Sequence, residues 1–168
     1  MSEGEKRVSP TRAASMLQRG TKGSFQSVFH YSHRVTYAEC AIGNHIYYAR
    51  YLDLLEAARG EFFRYLGTTF LQWQERDTIF PVIEAHQRYK SPARYDDVLK
   101  IELWIAKAKG VRLTFAYRIT NQAGKPVLEA ETLHVCTSVS GRPKRLPEEL
   151  ITFESVNPGS QQHRLGGE

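Results

Sequence analysis

The longest regular pattern of apolar positions lies in the first half of the chain, between a polar turn at residues 42–44 and Gly67. Apolar side chains recur there every three or four residues, at Tyr48, Leu52, Leu55, Ala58, Phe62 and Leu66. This spacing is typical of one face of a helix that packs on a core. A glycine such as Gly67 commonly ends such a helix. The pattern therefore predicts a long helix over residues 45–66.

Alternation of apolar and polar residues predicts strands on both sides of this helix. One strand precedes the helix at residues 29–37, and four follow it at residues 79–89, 98–108, 111–120 and 126–139. Gly110 and the segment NQAGK supply tight turns between the last three strands, which we therefore expect to form an antiparallel meander. Together these elements predict an α+β fold in which a curved antiparallel sheet wraps around one long central helix.

The remaining segments set the domain boundaries. Residues 68–78 predict a short irregular connection, and residues 147–154 predict a last helical turn. Residues 1–24 have no sustained apolar period and predict a flexible N-terminal arm. Residues 155–168 predict a flexible C-terminal tail in the same way, so one domain is expected over residues 25–154.

The net charge of +5 changes the picture little, because most of the excess lies in the arm. Residues 1–26 carry five Lys or Arg side chains against Glu3 and Glu5, which accounts for +3 of the total. The rest of the chain has no basic helix and no basic-aromatic RNA motif, so we expect no nucleic-acid partner.

The two cysteines, Cys40 and Cys136, are far apart and form no CxxC motif. Reduced thiols are therefore expected, with neither a disulfide framework nor a zinc site. The sequence has no apolar run of membrane-spanning length and no apolar segment of a secretory signal. We expect a cytoplasmic protein with no membrane partner, no metal and no redox cofactor.

Three segments, taken in order, resemble the hotdog fold and within it the 4-hydroxybenzoyl-CoA thioesterase-like acyl-CoA thioesterases. The first is HIYYARYLDLLEAARGEFFR at residues 45–64, and the second is YKSPARYDDVLKIEL at residues 89–103. The third is the pair LTFAYRI and LEAETLHVCTSVSGRPKRLPEEL, which resembles the last hairpin and closing turn of the family. The resemblance extends over about residues 28–150.

This resemblance implies an enzyme that hydrolyses an acyl-CoA or acyl-carrier-protein thioester to a carboxylic acid and a free thiol. It also implies a homodimer or homotetramer with sites at subunit interfaces. A noncatalytic hotdog protein that binds an acyl thioester or a partner protein is the alternative from another class. A hotdog dehydratase is a third possibility. It is the weaker one, because the turn before the helix lacks a His-containing hydratase motif.

The family usually carries an Asp in the turn before the helix, but that position falls on Ala41 when His45-Ile46 is aligned with the family's helix opening. The nearest acid is Glu39, which we expect to orient or deprotonate the attacking water. His45 would assist it. Asn44 would cap the helix or bond the substrate, and the backbone N–H groups of residues 44–47 would hold the thioester carbonyl oxygen.

Substrate contacts are expected from the backbone of Ile46 and from Tyr47 and Tyr48 at the same end of the helix. A cluster of cations is expected to meet the CoA phosphates, formed by Arg88, Lys90 and Arg94. A second group, Lys107, Lys109 and Arg112, surrounds the following hairpin and is an alternative phosphate site. Asp96 and Asp97 are expected to shape a turn.

Several structural interpretations compete with these roles. Glu39 is also explained as an ion-paired group at the end of a strand. A nucleophilic role for Cys40 lacks a neighbouring His-Asp arrangement in the sequence, so Cys40 is expected to be a small apolar residue. Glu56 is a competing acid on the helix, for which an ion pair with Arg59 one turn further on is the ordinary explanation.

Overall fold

The computed structural model describes residues 28–155, with side chains up to residue 153. Its elements are β1 (Phe29–Arg34), a 3-10 turn (Tyr37–Glu39), β2 (Cys40–Ala41), β3 (His45–Ile46), α1 (Arg50–Tyr65), α2 (Phe70–Glu75), β4 (Val82–Tyr89), β5 (Val98–Lys109), β6 (Arg112–Thr120), β7 (Pro126–Val135) and α3 (Glu148–Ser155). None of the helices in this range combines the length and apolar character that crossing a membrane requires. The predicted arm and tail lie outside the described residues, except for Ser155 at the end of α3.

Five of the strands form one antiparallel sheet in the order β1-β5-β6-β7-β4. Since β5, β6 and β7 are neighbours in both sequence and space, the predicted meander is confirmed. Helix α1 packs against one face of this sheet through β1 and β5. The α+β arrangement predicted from the order of the elements is therefore confirmed.

The core lies between α1 and the sheet because the strands turn alternate side chains toward the helix. In β5, Leu99, Ile101, Leu103 and Ile105 are fully buried, and the residues between them lie on the opposite face. Helix α1 contributes Leu55, Ala58 and Phe62, which are also fully buried. Burying one such large side chain contributes about 1.5–3 kcal/mol, so this interface fixes the helix on the sheet.

The predicted start of the long helix is wrong by five residues. Helix α1 begins at Arg50, whereas His45–Ile46 forms β3 and pairs with β2, Cys40–Ala41. Local sequence favours a helix here, but the N–H of Ile46 donates to the carbonyl of Ala93 at 2.9 Å, a contact that the sequence pattern does not reveal. The two short strands form a ribbon that stands before the helix.

The predicted buried stripe is right in its second half only. Leu55, Ala58 and Phe62 are buried, but Leu52 is 42% exposed and Tyr48, which precedes the helix, is 61% exposed. The predicted irregular segment after α1 also contains a helix, α2, whose first turn is capped by the Thr69 side chain accepting from the Gln72 N–H at 3.1 Å.

Strand β4 differs from the other strands because seven of its eight residues are exposed. It pairs with β7 on one side and forms an edge of the described sheet on the other. Val82, Ile83 and Tyr89 each leave nearly half of their surface exposed, at 48%, 49% and 47%. Helix α1 therefore leaves this end of the sheet uncovered.

Candidate active site

The turn of the β2–β3 ribbon is formed by residues 42–44, as predicted. Gly43 and Asn44 both have positive φ values, 92° and 54°. Gly and Asn adopt this conformation more readily than other residues. A Cβ atom at Gly43 would lie 3.3 Å from Nδ1 of His45, so the absent side chain also leaves room for the imidazole ring. His45 itself is exposed beside this turn.

Glu39 ends the 3-10 turn, and both of its carboxylate oxygens are engaged. Oε2 accepts from the Thr36 backbone N–H at 2.6 Å and from the Thr36 hydroxyl at 2.7 Å. His33 Nε2 lies 2.8 Å from Oε1 and 3.1 Å from Oε2. The carboxylate is therefore held in one place by three donors.

These donors determine the charge of Glu39. Burial alone would raise the pKa of this carboxyl, but the hydrogen bonds from Thr36 and from His33 outweigh it and lower the pKa below its usual value. Glu39 is consequently ionised at neutral pH. His33 is half-buried and lies on the same face of β1 as Phe29 and Tyr31.

Asn44 ties the ribbon to the loop that follows β4, instead of capping α1 as expected. Its Oδ1 accepts from the Tyr95 N–H at 3.2 Å, and its carbonyl lies 3.5 Å from Nη1 of Arg94. Arg94 also approaches the carbonyl of Gly43 at 3.4 Å. The N-cap position of α1 is Ala49, which has no side-chain cap.

The backbone N–H groups expected to bind the carbonyl oxygen are largely used by the fold. The N–H groups of Asn44, Ile46 and Tyr47 donate to Ala41, Ala93 and Glu39 respectively, at 3.2, 2.9 and 3.0 Å. The Ile46 side chain is buried in the core. Within residues 28–155, the N–H groups of Tyr48 and Ala49 donate no hydrogen bond. These two groups lie at the N-terminus of α1, where unpaired donors and the helix dipole favour an anion.

Tyrosines surround this end of the helix. The rings of Tyr47 and Tyr48 lie 4.7 Å apart, and both are exposed. The Tyr89 hydroxyl at the end of β4 donates to the Tyr48 carbonyl at 3.2 Å. The Tyr89 ring packs edge-on against the Tyr51 ring, with 5.6 Å between the ring centroids. The end of β4 is thereby fixed to the start of α1.

The three cations expected to bind phosphate do not form one cluster. Arg94 lies at the ribbon turn, whereas Lys90 forms an ion pair with Glu129 at 3.0 Å. Arg88 lines a depression on the outer face of the sheet together with Trp104 and the same Glu129. Asp97 accepts from the Arg94 N–H at 2.8 Å, which confirms the expected turn-shaping role.

The ion pair expected between Glu56 and Arg59 does not form. Arg59 is only 7% exposed, and its Nη1 donates to the Tyr117 hydroxyl at 2.9 Å. Sequence reasoning did not foresee this contact, because it joins α1 to β6. The only signal was the placement of Arg59 one residue after Ala58, on the edge of the buried stripe.

The Arg59 contact continues as a chain of buried hydrogen bonds. The Tyr117 hydroxyl lies 3.1 Å from Thr132 Oγ1, which lies 2.9 Å from His134 Nε2. His134 Nδ1 lies 2.9 Å from the Phe80 carbonyl oxygen. Arg can only donate and a carbonyl can only accept, so His134 carries a proton on Nδ1. When the imidazole is neutral, its Nε2 accepts from Thr132, and every hydrogen bond of the chain points from Arg59 toward Phe80.

The environment of His134 favours this neutral form. Burial lowers the pKa of the imidazole to about 4, and the nearby charge of Arg59 acts in the same direction. Burial also raises the pKa of Tyr117. Arg59 is therefore the charged member of the chain at neutral pH.

With this geometry established, comparison with known proteins identifies the family. The model of the thioesterase-like superfamily matches residues 35–153. The chain belongs to this superfamily, and the predicted hotdog fold and thioester-hydrolase class are confirmed. Within the superfamily, the chain is similar to the acyl-CoA thioester hydrolase YbgC of Escherichia coli. The two are 31% identical over 126 residues, which cover 74% of this chain and 94% of the relative.

Solved structures agree with this assignment. The hypothetical protein TT1821 from Thermus thermophilus superposes with a TM-score of 0.68 at 30% identity, covering 78% of this chain and 98% of that one. A 4-hydroxybenzoyl-CoA thioesterase in complex with 4-hydroxybenzoyl-CoA superposes with a TM-score of 0.69, covering 76% and 98%. At 22% identity the latter likeness shows the fold alone.

Proposed function

We propose that the protein is an acyl-CoA thioesterase whose thioester carbonyl binds at the N-terminus of α1. The observation that carries this proposal is the pair of N–H groups at Tyr48 and Ala49, which donate no hydrogen bond within residues 28–155. Paired backbone donors at a helix N-terminus stabilise the negative charge that develops on the carbonyl oxygen. An acyl-carrier-protein thioester presents the same reacting group and is the alternative form of the substrate.

The reaction needs water and no other co-reactant. The water oxygen attacks the carbonyl carbon and loses a proton to a base. The tetrahedral intermediate then collapses, the carbon–sulfur bond breaks, and the thiolate leaves to be protonated as free CoA. The products are a carboxylic acid and a thiol.

Glu39 is our proposed base. It is ionised at neutral pH, and its backbone carbonyl accepts from the Tyr47 N–H at 3.0 Å, directly before the two free donors. A carboxylate held by Thr36 and His33 loses little freedom when it orients a water molecule. Exposed His45 would assist Glu39, and the Asn44 amide would bond the substrate from the ribbon.

Arg94 is the proposed partner of a CoA phosphate. Its guanidinium lies at the ribbon turn, against the carbonyls of Gly43 and Asn44. Arg88 and Lys90 would serve only a nucleotide that reaches the outer face of the sheet. Tyr47 and Tyr48 offer exposed rings beside the carbonyl site.

We also propose a homodimer formed through β4. An exposed strand edge with apolar side chains is a template for pairing with another chain, and Val82, Ile83 and Tyr89 supply such side chains. A second β4 in antiparallel register would pair this edge and cover the uncovered end of the sheet. A homotetramer requires a further interface, which light scattering distinguishes from a dimer.

The cysteines support a cytoplasmic location. Cys40 and Cys136 are both free, and Cys136 is buried. Free cysteines are characteristic of a reducing compartment.

Ala41 favours one alternative, a noncatalytic protein that binds an acyl thioester. The family's usual carboxylate is absent there, and Glu39 is already hydrogen-bonded. Free-thiol release measured across short, long and aromatic acyl-CoAs distinguishes the two. Release above the uncatalysed rate supports the thioesterase, whereas binding of these thioesters with no release from any of them supports the binder.

A further inference from the structure

A cavity of about 380 Å³ lies between the second half of α1, helix α2 and the start of β4. Its walls are aromatic and are formed by Phe63, Phe70, Phe80 and Phe115. Ligand pockets in proteins typically have volumes of about 300–1,000 Å³ and mostly apolar walls with few polar groups. This cavity has the size and lining of such a pocket.

Arg59 is the cation in this cavity. It lines the cavity wall, yet its guanidinium donates to a neutral group, the Tyr117 hydroxyl. Among residues 28–153, no carboxylate oxygen lies within 4.0 Å of its guanidinium nitrogens. A guanidinium has five N–H donors and is always charged. A buried cation without an anion is costly, so this site favours an anionic ligand.

Glu56 does not meet this need. It lines the same cavity one turn before Arg59, but it is exposed and forms no ion pair with it. Water screens an exposed carboxylate much more than a buried guanidinium. The deep end of the cavity is therefore positive in character.

One line of residues on α1 connects the cavity wall with the first turn of the helix, next to the proposed thioester site. Leu52, Glu56 and Arg59 are spaced by four and three residues, so they follow one another along the helix surface. Leu52 and Glu56 are exposed, and Glu56 lines the cavity together with Val82 of β4. The rise from Ala49, which bears one of the proposed carbonyl donors, to Arg59 is about 15 Å, so an extended acyl chain is needed to join the two sites.

We propose that the preferred substrates are thioesters whose acyl chain ends in a carboxylate, and that Arg59 binds this carboxylate. The proposal rests on the proposed thioesterase function and adds the substrate class. The chain lies against the phenylalanine walls, and the carboxylate oxygens accept paired hydrogen bonds from the guanidinium fork. Tyr117 is a positioning residue that orients the fork by accepting from Nη1 at 2.9 Å.

The test uses matched pairs of acyl-CoAs that differ only in a terminal methyl or carboxylate: hexanoyl with adipoyl, octanoyl with suberoyl, and decanoyl with sebacoyl. We expect the full-length protein to show a kcat/KM about tenfold or more higher for the carboxylate member of at least one pair. Arg59→Met should abolish this preference by lowering the rate for the carboxylate member alone. Arg64→Met is the matched control, because Arg64 pairs with Glu61 on the exposed side of the same helix.

Two results would overturn the proposal and leave the thioesterase function intact. One is equal or faster hydrolysis of the methyl member in every pair. The other is an Arg59→Met variant that loses both members of a pair equally, which indicates a structural role. A melting temperature of Arg59→Met equal to or above that of the wild type would show that the variant is folded.

If no pair releases a thiol, the proposed hydrolase function fails and binding decides the further proposal. Non-hydrolysable thioether analogues of octanoyl-CoA and suberoyl-CoA are titrated by calorimetry. Binding of the suberoyl analogue about tenfold or more tighter, by the wild type but not by Arg59→Met, supports the carboxylate site. Equal binding of the two analogues rejects it.

Discussion

The imidazole of His33 on β1 lies 2.8 Å from the carboxylate of Glu39, which ends the 3-10 turn beside the ribbon. This pair joins the first strand of the sheet to the segment that leads into α1. His33 is also one of the three donors that keep the carboxylate ionised, together with the backbone N–H and the hydroxyl of Thr36. If Glu39 has only a structural role, removing its charge and removing one of its donors should lower turnover equally. If Glu39 is the base, only the removal of its charge should lower turnover strongly.

Replacing Glu39 with Gln removes the negative charge and keeps the size of the side chain. If Glu39 is the base, kcat for a good acyl-CoA substrate should decrease by about tenfold or more, because the water is no longer activated. Steady-state free-thiol release measures this change.

The matched control is Thr36→Val, which removes one donor to Glu39 and keeps the carboxylate. It should retain most of the turnover and lose about 1 kcal/mol of unfolding free energy. Equal loss of turnover in Glu39→Gln and Thr36→Val would assign Glu39 a structural role alone. Unchanged turnover in Glu39→Gln would remove it from the mechanism.

The proposed carbonyl site is tested by removing one N–H group. The Arg50 N–H donates to the Tyr47 carbonyl at 2.8 Å, which places Tyr48 at the second position of a turn, where proline is well tolerated. Tyr48→Pro should lower kcat by about a hundredfold relative to Tyr48→Ala, because proline lacks the donor and alanine keeps it. Similar kcat values for the two variants would place the carbonyl oxygen elsewhere.

Acid should destabilise the protein through His134. Its pKa is lowered to about 4 in the folded state, mainly by burial, against an ordinary value of 6.5. The unfolded chain therefore takes up a proton first as the pH falls. Stability is fully present above pH 6.5 and is lost between about pH 6.5 and about pH 4, by up to about 3 kcal/mol. Denaturant unfolding across this range measures the slope.

His134→Leu should flatten this pH dependence, whatever its effect on stability at neutral pH. His30→Leu is the control, since His30 is exposed on β1, at the edge of the sheet opposite to the proposed interface. An unchanged slope in His134→Leu would assign the acid sensitivity to other groups. Glu39, whose pKa is lowered, contributes only below its ordinary value of 4.5, as it becomes protonated.

The proposed dimer is tested at the free edge. Ile83→Lys replaces an apolar side chain of the proposed strand pair with a charge, in both copies, and should raise the dimer dissociation constant by about tenfold or more. Sedimentation equilibrium measures this constant. His30→Lys adds a similar charge on β1, the opposite edge of the sheet, and should leave it unchanged. Dissociation by His30→Lys alone would place the interface on β1.

The strands could be predicted from sequence because their patterns depend on neighbours along the chain. Alternation in β5 and β6 reflects one buried face, and the turn at Gly43 and Asn44 needs residues that accept positive φ. The helix start could not be predicted in the same way. It depends on the bond from Ile46 to Ala93, a residue distant in sequence.

The site residues show the same limit. Glu39 was identifiable as the nearest acid to the position of Ala41, but its contact with His33 requires two segments to meet. Arg59 was expected to pair with Glu56 because both lie on one helix. Its actual partner, Tyr117, comes from β6 and is visible only when the sheet is assembled.

The buried chain from Arg59 to the Phe80 carbonyl has a further consequence for proton movement. A guanidinium does not release its proton, and a backbone carbonyl does not take one up. The intervening hydroxyl groups of Tyr117 and Thr132 and the imidazole of His134 therefore cannot reverse their hydrogen bonds together. The chain joins α1, two strands and the segment before β4 into a fixed dipolar array, and it conducts no protons between the cavity and the sheet.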